Sequence, residues 1–63
     1  MLTQAEMINA RDDLRQAESL CAKVRGLYLG AGYVAGARIL GTVLALLADE
    51  IAALDKAIGA AKP

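Results

Sequence analysis

Residues 26–36 read GLYLGAGYVAG, and they hold four of the six glycines in the chain. Glycine adopts positive backbone φ values at little steric cost, so it commonly ends helices and closes short loops. Gly30-Ala31-Gly32 is the best candidate for a turn, and Gly26 is an alternative point for the preceding helix to stop. The segment therefore predicts a break near the middle of the chain.

The segment before this turn is predicted to be an amphipathic helix over about 4–29. Thr3 and Glu6 have the spacing of a capping box, and Leu2 and Met7 occupy the positions of a hydrophobic staple. Apolar residues then recur in alternating steps of three and four, which is the pattern of a packed seam. The predicted seam consists of Met7, Ala10, Leu14, Ala17, Cys21, Val24 and Tyr28.

The opposite face of this first helix is charged and is expected to contact water. It holds Arg11, Asp12, Asp13, Arg15, Gln16, Glu18 and Lys23. Arg15 and Glu18 are three positions apart, a spacing at which side chains on a helix are neighbours. The two residues are therefore predicted to form an ion pair.

A second helix is predicted over about 33–60, and it is apolar around most of its circumference. Its seam consists of Tyr33, Ala37, Leu40, Leu44, Leu47, Ile51, Leu54 and Ile58. A second apolar row follows Ile39, Val43 and Leu46 on another face. One partner helix cannot cover both rows, so we expect further contacts. The predicted interface between copies consists of Ile39, Val43, Leu46, Leu44, Leu47 and Ile51.

Together these features predict an all-α protein, a single domain over 1–63 with a turn at about 30–32. Helices of equal length and a short connection favour an antiparallel hairpin. The chain has 63 residues and is 57% hydrophobic. Chains below roughly 70–80 residues usually need disulfides, metals or association for stability. One cysteine and no histidine exclude a disulfide framework and argue against a structural metal site. We therefore expect the chain to associate, either as a four-helix bundle of two hairpins or as a larger homo-oligomer.

The charge balance argues against nucleic acid as a partner. Seven basic residues equal seven acidic ones, and two tyrosines are too few for a stacking platform. The chain also begins without the basic and then apolar order of a secretory signal. We therefore expect a cytoplasmic protein.

Residues 26–48 offer a membrane alternative, a single span that dimerises through its glycines. They contain one charge in 23 positions and two G-x-x-x-G spacings. Arg38, however, lies near the middle of that segment, where an arginine costs about 2.5–3.5 kcal/mol even on lenient insertion scales. The clustered glycines also suit a turn, so the hairpin is the favoured prediction.

No arrangement of residues predicts an enzyme. Histidine is absent, and the sequence lacks a nucleophile elbow or a phosphate-binding loop. We expect no metal and no cofactor. Cys21 lies on the first seam, where the simplest interpretation is a small buried hydrophobic residue. A disulfide between copies is the alternative.

Four residues are candidates for binding a ligand. Arg38 and Thr42 lie one helical turn apart among small residues, which would let copies of the second helix converge and present repeated anion-binding groups. The simpler interpretation is an exposed arginine whose stem covers apolar surface. Tyr28 and Tyr33 flank the turn. They are either residues at the end of the core whose hydroxyls reach water, or rings that stack on a planar ligand.

A compact helical hairpin carrying Arg38-x-x-x-Thr42 resembles the phage anti-defence sponges that sequester cyclic-oligonucleotide immune signals. The resemblance covers the hairpin plan and these two positions. It implies a non-enzymatic oligomer of a phage accessory type, in which arginine and threonine from neighbouring copies hold the ligand phosphates. The alternative hypothesis is a protein-interaction module that inhibits or organises a host protein through the apolar face of the second helix.

Overall fold

The computed structural model describes residues 1–60 of the chain. It contains two α-helices of 27 residues each, α1 (Gln4–Gly30) and α2 (Val34–Ala60). They pack side by side as an antiparallel hairpin measuring 49 × 16 × 14 Å. The predicted all-helical hairpin is confirmed.

The start of α1 is a capping box, as predicted. The Glu6 backbone N–H donates to Thr3 Oγ1 at 3.1 Å, and the Thr3 backbone N–H donates to Glu6 Oε1 at 2.9 Å. The bonds from the Thr3 backbone and side chain hold the pKa of the Glu6 carboxyl below its ordinary value. These hydrogen bonds therefore stabilise the folded protein when the pH is above the ordinary pKa of glutamate. The stabilisation is lost as the pH falls through the lower pKa that Glu6 has in the folded protein.

The turn between the helices is a Schellman motif. Tyr33 N–H donates to the Tyr28 carbonyl at 2.8 Å, and Gly32 N–H donates to the Leu29 carbonyl at 3.1 Å. These are the two bonds that define the motif, with Gly32 at the position that needs positive φ. Its φ is +78°, and no other residue of the described part of the chain has positive φ.

The turn lies slightly later in the chain than predicted. Gly30 is the last residue of α1, so the connection is formed by residues 31–33. Gly26 does not end the helix, because α1 continues through it. The single helix considered across residues 26–48 does not form, since the turn interrupts it. Neither helix in the described part of the chain is both long enough and apolar enough to cross a membrane.

The two helices meet along the predicted seams, and the core between them is thin. Ala37, Ile51 and Ile58, all from the α2 seam, are the buried apolar side chains of residues 1–60. Most other seam residues are half-buried, while Val24 and Tyr33 are exposed. A single hairpin thus leaves much of its apolar surface in contact with solvent.

An ion-pair cluster joins the helices along one edge of the hairpin. Asp55 of α2 accepts from Arg11 at 3.0 Å and from Arg15 at 3.3 Å. The bond to Asp55 raises the pKa of the Arg11 guanidinium above its ordinary value. The predicted pair of Arg15 with Glu18 is wrong, because within the described residues Arg15 contacts Asp55 instead. Sequence spacing missed this cluster because its members lie on different helices.

We predict opposite effects for alanine at two glycines of the turn region. At Gly32 alanine would have to adopt left-handed backbone, and we expect a loss of about 1–2 kcal/mol in unfolding free energy. At Gly30 the backbone is helical and an added Cβ meets nothing within 4 Å. Gly30→Ala should therefore stabilise the protein by about 0.5–1 kcal/mol.

Thermal unfolding followed by circular dichroism, at matched protein concentrations, measures both changes. Equal stability of the Gly32→Ala variant and the wild type would contradict the Schellman turn.

Candidate anion site and exposed apolar face

Arg38 and Thr42 lie together on the solvent side of α2. Both residues are exposed, and Thr42 Oγ1 donates to the Arg38 carbonyl at 3.4 Å. Among the described residues, the ion pairs involve Arg11 and Arg15 and not Arg38. The Arg38 guanidinium and the acceptor side of the Thr42 hydroxyl are thus open to a ligand, one helical turn apart.

Tyr28 and Tyr33 form a second pair, closing the turn. Their ring centroids are 5.0 Å apart with an interplanar angle of 68°, an edge-to-face contact. This is the hydrophobic contact that commonly accompanies a Schellman motif. Both rings also lie over Gly36, where an added Cβ would come within 2.5 Å of Tyr33 and 2.9 Å of Tyr28.

The structure separates the four candidate ligand residues into two sites. Gly36 is buried beneath the tyrosine rings, whereas Arg38 is exposed. Two residues of an α-helix correspond to a rotation of about 200°, so the tyrosines and Arg38 lie on opposite faces of α2. The tyrosine pair therefore serves the turn, and Arg38 with Thr42 forms the candidate anion site.

The predicted interface residues also fall into two groups. Leu44 and Leu47 are half-buried and Ile51 is 8% exposed, so these three already pack within one hairpin. By contrast, Ile39 and Leu46 are each 64% exposed. Val43, between them in the second apolar row, is half-buried, so Ile39 and Leu46 are the members of that row that a single hairpin leaves open.

That row belongs to a larger surface shared by both helices, which we call the lateral face. Arg25 of α1 lies against Gly41 of α2, and Arg11 of α1 contacts Asp55 of α2. These four residues therefore lie along one edge of the hairpin. At 100° per residue, the opposite edge carries apolar residues from both helices. The lateral face consists of Leu20, Val24, Ile39, Val43 and Leu46.

A shallow apolar depression lies at the open end of the hairpin, away from all four candidate ligand residues. Its lining consists of Met1, Leu2, Gln4, Met7, Glu50, Ala53, Leu54 and Ala57. The staple residues Leu2 and Met7 both belong to it. The depression is thus lined by residues from the start of α1 and from the second half of α2.

Reactive and metal-binding groups form no further cluster in residues 1–60. No group of three or more acidic or cysteine side chains is placed to hold a metal ion within that range. Cys21 is a half-buried free thiol.

Comparisons with known proteins add no relative. The chain matches no protein family, no curated protein sequence and no solved structure. Its own surface, with the anion site on α2 and the lateral face beside it, is therefore the basis for assigning a function.

We predict that Gly36→Ala destabilises the hairpin by about 1–3 kcal/mol, because the methyl group would displace the packed tyrosine rings. Gly41→Ala is the matched control on the same helix. There an added Cβ meets only Arg25 Nε at 3.5 Å, an ordinary contact, and alanine favours the helix. Urea unfolding of both variants measures the difference, and a Gly36→Ala variant as stable as Gly41→Ala would exclude the tight packing.

Proposed function

We propose that this chain is a non-enzymatic binding protein that assembles into an oligomeric helical bundle and holds a small phosphate-bearing ligand. The observation that carries the proposal is the position of Arg38 and Thr42. They are exposed together on α2, free of ion pairs in the described part of the chain, and beside an apolar face that a single hairpin cannot cover.

Assembly through the lateral face would supply the core that one hairpin lacks. The described part of a single hairpin has three buried apolar side chains, while Leu20, Ile39 and Leu46 are more than 60% exposed. Burial of apolar surface gives about 25 cal/mol per Å², so covering these side chains would stabilise the molecule. A second copy offers a matching apolar surface.

Arginine and threonine together suit a phosphate. The guanidinium presents several N–H donors in a planar fork that matches phosphate oxygens. The Thr42 hydroxyl adds a neighbouring donor when it rotates from the Arg38 carbonyl, to which it donates in the free hairpin, toward the ligand. The nearby residues Ala35, Gly41 and Ala45 are small, which leaves room for a ligand against the helix. In an assembly each copy would contribute the same two groups, so a ligand with several phosphates, such as a cyclic oligonucleotide, fits the proposal.

The proposed setting is the cytoplasm, where a phage accessory protein of this kind would sequester a host signalling nucleotide. Binding without turnover needs no base or nucleophile. This setting rests on the resemblance to the anti-defence sponges and on the exposed Arg38 and Thr42.

We predict that Leu46→Glu dissociates the assembly. Leu46 is 64% exposed in the hairpin, so the substitution leaves the fold intact but places a charge in the lateral face. Light scattering should give a multiple of the chain mass for the wild type and the monomer mass for the variant. Ala52→Glu, an exposed α2 position away from the lateral face, should assemble as the wild type does. A monomeric wild type would contradict the assembly.

We predict that Arg38→Ala weakens binding of cyclic di- and trinucleotides by roughly tenfold to a hundredfold, the effect of losing a charge-assisted hydrogen bond. Calorimetric titration measures the affinity. Lys56→Ala removes another exposed α2 cation and should bind as the wild type does. Absence of heat with the wild type, or equal binding by Arg38→Ala, would exclude the proposed ligand class.

A second candidate function uses the same lateral face for a host protein. Ile39 and Leu46 are exposed seven positions apart with Val43 between them, the spacing of anchors in helix-in-groove recognition. A monomeric wild type whose partner capture is abolished by Val43→Asp, with helicity retained, would favour this function over self-assembly.

A further inference from the structure

The turn end of the hairpin is an exposed surface without hydrophilic side chains apart from tyrosine hydroxyls. Residues 26–37 read GLYLGAGYVAGA. Four large apolar residues lie there, and we call them the tip. Their exposed fractions are 70% for Leu27, 48% for Leu29, 55% for Tyr33 and 57% for Val34. Turns in water are normally rich in polar residues, so this tip calls for an apolar environment.

A collar of three cations lies behind the tip. Lys23, Arg25 and Arg38 are the charged residues between positions 19 and 48, and no acidic residue lies in that range. All seven acidic residues fall within residues 6–18 and 49–55. Because the helices are antiparallel, these acidic ranges share the open end of the hairpin. The molecule is therefore positive and apolar at one end and acidic at the other.

The spacing between tip and collar matches the interface of a lipid bilayer. The three collar residues, Lys23, Arg25 and Arg38, are five to eight residues from the turn, which corresponds to about 8–12 Å along a helix. Interfacial protein segments bury apolar side chains about 5–10 Å into the boundary between headgroups and acyl chains. At that depth the collar would be level with the lipid phosphates. The two tyrosines would lie in the interface, where this residue type is enriched.

We propose that the tip docks into the surface of a membrane that contains anionic lipids. Leu27, Leu29 and Val34 enter the boundary region, and the collar contacts lipid phosphates. This inference goes beyond the proposed function, since it uses the turn end and shares only Arg38 with the proposed anion site. A second copy is a poor occupant of the tip, because tip-to-tip contact would bring two cationic collars together.

Vesicle flotation tests the proposal with matched variants. The wild-type chain is mixed with vesicles of phosphatidylcholine alone or with an equimolar mixture of phosphatidylcholine and phosphatidylglycerol. Val34→Glu places a charge in the tip, and a carboxylate in the first turn of α2 is favourable for the helix dipole. Ala52→Glu adds the same charge at an exposed position of α2 that lies outside the tip and the lateral face. Circular dichroism confirms the helicity of each chain.

We expect the wild type to float with the anionic vesicles and much less with phosphatidylcholine alone, since each cation contributes roughly fivefold to partitioning onto an anionic surface. Added salt should weaken the binding. Val34→Glu should reduce partitioning at least tenfold, whereas Ala52→Glu should float as the wild type does. That last result would hold even if the proposed assembly through the lateral face failed.

Four results would overturn the proposal. The first is no flotation of the wild type with anionic vesicles, and the second is equal flotation of Val34→Glu. The third is a loss with Ala52→Glu as large as that with Val34→Glu, which would mean that added negative charge anywhere on α2, and not the tip, controls the binding. A change in lipid-free molar mass caused by Val34→Glu would likewise assign the tip to a contact between copies.

Discussion

The left-handed backbone of Gly32 is the constraint on which the hairpin depends. Its φ of +78° lets the chain reverse in residues 31–33 and completes the two Schellman hydrogen bonds. The reversal brings the Tyr33 ring against Tyr28, and both rings lie over Gly36, where only a hydrogen atom fits. One tight turn therefore sets how α2 starts and how close it comes to α1.

The two edges of the hairpin differ in polarity. Along one edge Arg11 and Arg15 reach across to Asp55, and these paired polar groups need no further partner. Along the other edge Leu20, Ile39 and Leu46 remain in solvent. Three buried apolar side chains in the described residues make a small core, so the exposed edge is the natural place for further burial. An assembly or a partner protein would use this edge.

The distribution of charge gives the molecule a direction along its long axis. The sequence is neutral as a whole, yet positions 19–48 carry only cations and the acidic residues lie outside that range. Folding into a hairpin converts this separation along the chain into a separation in space. Both proposals draw on it: Arg38 is a candidate phosphate ligand on α2 and a member of the cationic collar behind the tip. Free nucleotides and lipid headgroups both offer a phosphate to Arg38. Calorimetric titration with nucleotides and flotation with vesicles separate the two ligands.

The sequence by itself determined the features that depend on neighbours within a few positions: the Thr3–Glu6 capping box, two helices of equal length, their apolar seams and a glycine turn between them. Only the tertiary structure decided that Arg15 meets Asp55 and not Glu18, that Arg25 lies against Gly41, and that the rings of Tyr28 and Tyr33 cover Gly36, on the face of α2 opposite Arg38. Periodicity identifies the faces of one helix, but it does not say how two helices are rotated and aligned against each other. That alignment is set by the backbone of the turn and by packing across the seam, and it places the lateral face beside the anion site.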